Sequence, residues 1–128
     1  MRIVPQLPVF VKNTKGALEH ITNVLTKSDI NIVGISTHEA FEYGIFRMVV
    51  SDPDRAEQEL KNAKVPGVIR GDVLQVDLPD NPGELHTTLR KLADNGVNIG
   101  YIYASGGKES AIIYMACDDL QKAVETLS

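Results

Sequence analysis

The stretch Asp80-Asn81-Pro82-Gly83-Glu84-Leu85, running on through an amphipathic segment to Gly96-Val97-Asn98-Ile99, decides how the rest of the chain is read. Asp and Asn are helix-capping residues, Pro82 suits the first helical position, and Gly83 leaves bare backbone where the helix begins. The first amides of a helix have no partners inside it, and the helix dipole favours negative charge there, so such a start can receive an anion. The same arrangement stands earlier as Asn13-Thr14-Lys15-Gly16-Ala17-Leu18, followed by Asp29-Ile30-Asn31-Ile32. The chain is a duplication.

Gly16 and Gly83, Asn31 and Asn98, and Met48 and Met115 are each separated by 67 residues. Without a gap the same shift pairs Leu7 with Leu74, Val9 with Val76, Leu18 with Leu85, Leu25 with Leu92 and Ala56 with Ala123. A fixed period that keeps apolar positions in step marks a repeated fold rather than two unrelated helices.

Within the first repeat, Leu7, Val9 and Val11 alternate and read as a strand. Asn13 or Thr14 then caps a helix from about Lys15 to Lys27, with Leu18, Ile21 and Leu25 on its inner face. Ile30 and Ile32 open a second strand, whose alternation slips at Val33-Gly34 in the manner of a bulge. Ala40 to Gly44 form a hairpin connection to a third strand, Ile45 to Val50. Ser51-Asp52-Pro53 caps a second helix that turns Ala56 and Leu60 inward, and a fourth strand lies around Val68 and Ile69. The order strand, helix, strand, strand, helix, strand is the ferredoxin-like βαββαβ unit, an α+β fold.

The pattern restarts after Arg70-Gly71-Asp72, giving repeats 1–71 and 72–128. Ser128 falls opposite Lys61, so the second repeat lacks its last strand. In the ferredoxin-like strand order that loss leaves Val73 to Leu78 at an open edge, apolar at Leu74, Val76 and Leu78, and such an edge invites pairing. The same strand of a second chain, or an extended segment such as Arg2 to Val4, would close it, and the expectation is a homodimer.

The composition, 43% hydrophobic and 23% charged over 128 residues, is that of a globular protein. A net charge of −4 argues against nucleic acid or an anionic membrane as partner and for a small ligand. The start, Met1 to Phe10, is neither a signal peptide nor a spanning helix, and the expected location is the cytoplasm. Cys117 is the single cysteine, which excludes an internal disulfide and a Cys-clustered zinc site. His20, His38 and His86 are scattered without metal-ligand spacing, so neither metal nor cofactor is expected. Ser105-Gly106-Gly107-Lys108 reads as a hairpin turn and Asp118-Asp119 as a helix cap. The outer strand faces, with Ile45, Arg47, Val49, Ile112, Tyr114 and Ala116 and with Tyr101 and Tyr103, are too apolar for open water and suggest an interface or a ligand wall.

The two loops, with Asn31-Ile32 and Asn98-Ile99, resemble a tandem pair of ACT domains, small ferredoxin-like modules that bind amino acids and regulate metabolism. The resemblance covers Leu7 to Ser128; the second motif has the usual form, and the first carries Lys15 in place of its proline. It implies a ligand between neighbouring ACT domains, held by Asn13, Thr14, Lys15, Gly16, Asn31 and Ile32 and by Asp80, Asn81, Gly83, Asn98 and Ile99. Serine-binding relatives place a histidine five residues before the glycine; here Val11 and Leu78 stand there, which points to an apolar ligand side chain.

The residues by themselves support part of this. Helix amides at Gly16 or Gly83 suit a carboxylate and Asn side chains an ammonium. Asp80 would repel a carboxylate whereas Asn13 and Lys15 would attract one, so the first repeat is the better site. The same residues also fit a purely structural role, Asn13, Asp80 and Asn81 as caps, Asn31 and Asn98 in turns. The leading function is a non-catalytic regulator that binds a free amino acid and acts on a metabolic enzyme in trans. The alternative is an interaction subunit resembling the regulatory subunit of acetolactate synthase, with vestigial ligand sites. A small enzyme ranks last, because no base, nucleophile or metal cluster recurs at the aligned loops.

Overall fold

The alternation at Leu7, Val9 and Val11 belongs to a strand longer than those residues. In the computed structural model, which describes residues 1–106 and 108–128, β1 spans Arg2–Lys12. It is followed by α1 (Ala17–Lys27), β2 (Ile32–Ala40), β3 (Tyr43–Val50), α2 (Pro53–Asn62) and β4 (Gly67–Val68). The second series is β5 (Gly71–Pro79), α3 (Glu84–Asp94), β6 (Ile99–Gly106), β7 (Ser110–Cys117) and α4 (Leu120–Leu127). Gly107, within the expected turn Ser105–Lys108, lies outside the described residues. The chain divides into two compact units: Pro5–Gly71, and Met1–Val4 together with Asp72–Ser128.

In the first unit β1 pairs antiparallel with β3, Leu7 opposite Met48, and β3 pairs with β2. The short β4 lies on the other side of β1, with Val68 opposite Val9. The second unit repeats the register, Leu74 opposite Met115, with β6 beyond β7. The place beside β5 is taken by β1, whose first residues, Met1–Val4, group with this unit. Of the two expected ways to close the edge, the segment from Arg2 to Val4 is the one used, and it comes from the same chain. The open edge therefore gives no reason to expect a dimer.

Both β2 and β6 slip in register, between Ile32 and Gly34 and between Ile99 and Tyr101, so the bulge expected in the first repeat recurs at the same place in the second. Each unit has its own core. Leu7, Leu25, Met48 and Leu60 are fully buried in one, and Leu74, Leu92 and Met115 in the other. Burying a side chain of this size stabilises a fold by roughly 1.5–3 kcal/mol.

Leu18 and Leu85 depart from the expected core, being 36% and 39% exposed. Each helix begins only after its glycine, at Ala17 and Glu84, and it is Ile21 with Leu25, and Thr88 with Leu92, that the two helices bury. On the outer face Tyr114 is fully buried, and the Tyr103 ring lies 5.1 Å from it. The Tyr114 hydroxyl has no hydrogen-bond partner among the described residues. No described helix is long and apolar enough to cross a membrane.

Candidate ligand-binding site

The two loops are built hydrogen bond for hydrogen bond alike. The Asn13 amide donates to the Glu42 carbonyl at 2.7 Å, and Asp80 to Glu109 at 3.2 Å. Thr14 N–H reaches the Lys12 carbonyl and Asn81 N–H the Pro79 carbonyl, each at 2.9 Å. Gly16 (φ 82°) and Gly83 (φ 90°) then turn the chain through the left-handed region directly into the helices. Glycine enters that region without the steric cost other residues meet.

This geometry corrects the expected caps. Gly16 and Gly83 occupy the N-cap positions, and no side chain caps either helix. Pro82 consequently stands just before the helix rather than in its first turn. The Thr14 carbonyl accepts from Ala17 N–H at 3.2 Å and the Asn81 carbonyl from Glu84 N–H at 3.3 Å, so main chain does work that the side chains were expected to do. The Asn13 side-chain amide donates instead to the Glu39 carboxylate at 2.9 Å. The expected caps at Asp52 and Asp119 do form, accepting from Arg55 N–H at 3.2 Å and Lys122 N–H at 3.0 Å.

Beside the start of α1 lies a cavity of about 350 Å³, lined by Val11, Lys12, Thr14, Lys15, Gly16, Ala17, His20, Ile21, Lys64, Val65 and Pro66. Its size falls at the lower end of small-molecule sites. Three of the expected residues, Thr14, Lys15 and Gly16, meet here. A second cavity of about 300 Å³ is lined by Met1, Val76, Asp77, Leu78, Glu84, Thr87, Thr88, Lys91 and Leu127. Four positions coincide under the 67-residue shift: Val11 with Leu78, Ala17 with Glu84, His20 with Thr87 and Ile21 with Thr88. Lys64-Val65-Pro66 leads into β4 at the first cavity; Met1, at the head of the strand that stands in for β4, borders the second.

The strand asparagines are elsewhere. Asn31 lines a separate cavity of about 220 Å³ with Thr26, Asp29 and Ile30. Its main chain forms a clamp with Ser51: Asn31 N–H donates to Ser51 Oγ and Ser51 N–H to the Asn31 carbonyl, both at 2.9 Å. Asn98 forms the matching clamp with Asp118, both bonds 3.0 Å. Ile32 and Ile99 pack against the two cores. Within a unit, then, Asn31 and Ile32 do not join Thr14, Lys15 and Gly16, and Asn98 and Ile99 do not join the second cavity.

Lys12, His20, Lys64, Val65 and Pro66 were not anticipated as lining residues. Lys64 adopts φ 61°, an unusual conformation for a lysine, and no sequence pattern marks it. Among the titratable groups, burial pushes the partly buried Cys117 thiol up, and the charge of Asp118 adds to this. Burial likewise raises Tyr114, with Asp77 adding to the shift and Arg2 opposing it. The described residues hold no group of three or more His, Cys, Asp or Glu that could bind a metal.

Two ferredoxin-like units joined in one chain, each with the same glycine-turned loop, define a tandem pair of like domains. Residues 1–127 match the family described as ACT domain pair, and the chain belongs to that family. Among solved structures it is similar to protein BT0572 from Bacteroides thetaiotaomicron, at 34% identity and a TM-score of 0.93, over 98% of this chain and 86% of that one. The ligand-free regulatory subunit of aspartate kinase from Thermus thermophilus shares the fold at 13% identity, with a TM-score of 0.73, over 99% of this chain and 95% of that one. The regulatory subunit of aspartate kinase from Thermus flavus shares it at 16% identity, with a TM-score of 0.64, over 99% and 96%. No curated protein matches the chain.

Proposed function

We propose that this chain is a non-catalytic regulatory protein, acting in the cytoplasm, that binds a free amino acid with an apolar side chain in its first repeat. The observation that carries this reading is the cavity of about 350 Å³ beside α1, which joins a helix start without a side-chain cap and Lys15 to an apolar wall of Val11, Ile21 and Val65. A carboxylate suits the lysine and the positive end of the helix dipole, and a hydrocarbon side chain suits the wall. The ACT pair family and the duplicated loops support it. The same fold serves as a regulatory subunit in the two Thermus proteins, and the regulated enzyme is here taken to be a separate chain.

A thermal-shift series against the twenty amino acids tests the reading, because a ligand that binds only the native state raises its melting temperature. An apolar amino acid is expected to raise it, and the Lys15→Glu variant to lose the response. No shift with any amino acid at millimolar concentration would overturn the proposal.

One observation favours an interaction subunit as the second reading. Phe41, at the tip of the β2–β3 hairpin, is 98% exposed at φ 57°, and Tyr43 beside it is also exposed. A fully exposed aromatic at a strained position suits an anchor for a partner chain.

A further inference from the structure

The proposed amino-acid site leaves one charge of its ligand unanswered. Lys12, Lys15, Lys64 and His20 stand around the first cavity, and among the described residues no carboxylate lines it. The carboxylate of a zwitterion is well served there. Its ammonium meets the charges of three lysines, with the Thr14 hydroxyl and main-chain carbonyls as acceptors. The second cavity differs at this point: Glu84 stands in the place of Ala17, Thr87 in that of His20, and Asp77 joins them, with Lys91 as the lining lysine. The two corresponding cavities thus differ in charge, with a cationic rim in the first repeat and a mixed, more acidic one in the second.

We infer that the first cavity prefers a small carboxylate with an apolar tail and no ammonium, that is, an α-keto acid, over the amino acid of the same side chain. This rests on the reading above for the seat of the carboxylate at α1 and deepens it by naming the ligand's charge class. Replacing an ammonium by a carbonyl removes repulsion from the lysines and leaves the contact with Val11, Ile21 and Val65 unchanged. Across a partly open, solvated site the difference is about tenfold in affinity. Because the lysines are exposed, the preference falls as salt rises.

The test is calorimetric titration of the intact chain with matched pairs, α-ketoisocaproate against leucine and α-ketoisovalerate against valine. The keto acid is expected to bind about tenfold more tightly in each pair, the gap narrowing in Lys15→Gln/Lys64→Gln. Circular dichroism checks that variant's fold, and the unaltered protein supplies a second readout, since its ratio should shrink as ionic strength is raised. Equal affinities, tighter binding of the amino acids, or a ratio indifferent to salt would overturn the inference while leaving the amino-acid reading in place. Binding of neither partner would overturn both.

Discussion

Residues 13–20 and 80–87 carry the same backbone and different chemistry. Matching main-chain hydrogen bonds and a left-handed glycine fix the entry to α1 and to α3. Around the one stand Lys12, Lys15 and His20, and around the other Asp77, Glu84 and Thr87. The loop shape is held by main chain, so the side chains beside it are free to diverge without loss of the fold. Conservation of shape and change of charge are separable here, and each can be tested by paired substitutions 67 residues apart.

The largest effects belong to the cores. Leu25 and Leu92 are equivalent and fully buried, so Leu25→Ala and Leu92→Ala should each cost about 2–5 kcal/mol. Urea denaturation checks this, and a large cost at one position with none at the other would break the equivalence of the two units.

Next come the loop glycines. A Cβ at Gly16 or Gly83 meets nothing within 4 Å, so the cost of a side chain arises from the positive φ and not from collision. Gly16→Ala and Gly83→Ala should each lower stability by about 1–2 kcal/mol, by the same amount in both repeats. A substitution without cost in either loop would show that the turn is not what holds the helix start.

The duplication and nearly every element were legible in the sequence, because strand alternation, helical spacing and the fixed shift are local patterns. The capping was not. Asn13, Thr14, Asp80 and Asn81 are favoured capping residues in a suitable place, and only the turn geometry shows that carbonyls of Thr14 and Asn81 do the work. The closure of the second unit by Met1–Val4 is a pairing between distant parts of the chain, and alternation at Leu74, Val76 and Leu78 could announce an edge without naming its neighbour. At the site, Thr14, Lys15 and Gly16 were readable from the motif. Lys64-Val65-Pro66 reaches the cavity only because β4 returns beside β1, and no motif signals that.

The smallest effect marks a feature of the first repeat alone. Arg70 pairs with Asp54 and, at 3.6 Å, with Glu57, which also accepts from Lys61 at 2.8 Å. The bond from Lys61 is the main cause that holds the Glu57 carboxyl below its ordinary range, with Arg70 contributing and partial burial opposing. A carboxyl lowered by folding stabilises the fold above its unfolded value, and that contribution is lost as the pH falls through the lowered one. Glu57→Gln should therefore flatten the acid limb of the stability profile slightly, an effect weakened by salt because its partners Lys61 and Arg70 are exposed. An unchanged profile would remove this distinction between the repeats.

We assign the ligand's carboxylate to the repeat with the cationic rim. Amide-resolved NMR titration with leucine tests it most directly, since every loop amide reports separately. The first and largest shifts are expected at Val11 to Ile21 and at Lys64 and Val65, with the amides of Leu78 to Thr88 unmoved at the same concentration. Shifts that begin at Glu84 to Thr88, or that grow equally in both loops, would contradict it.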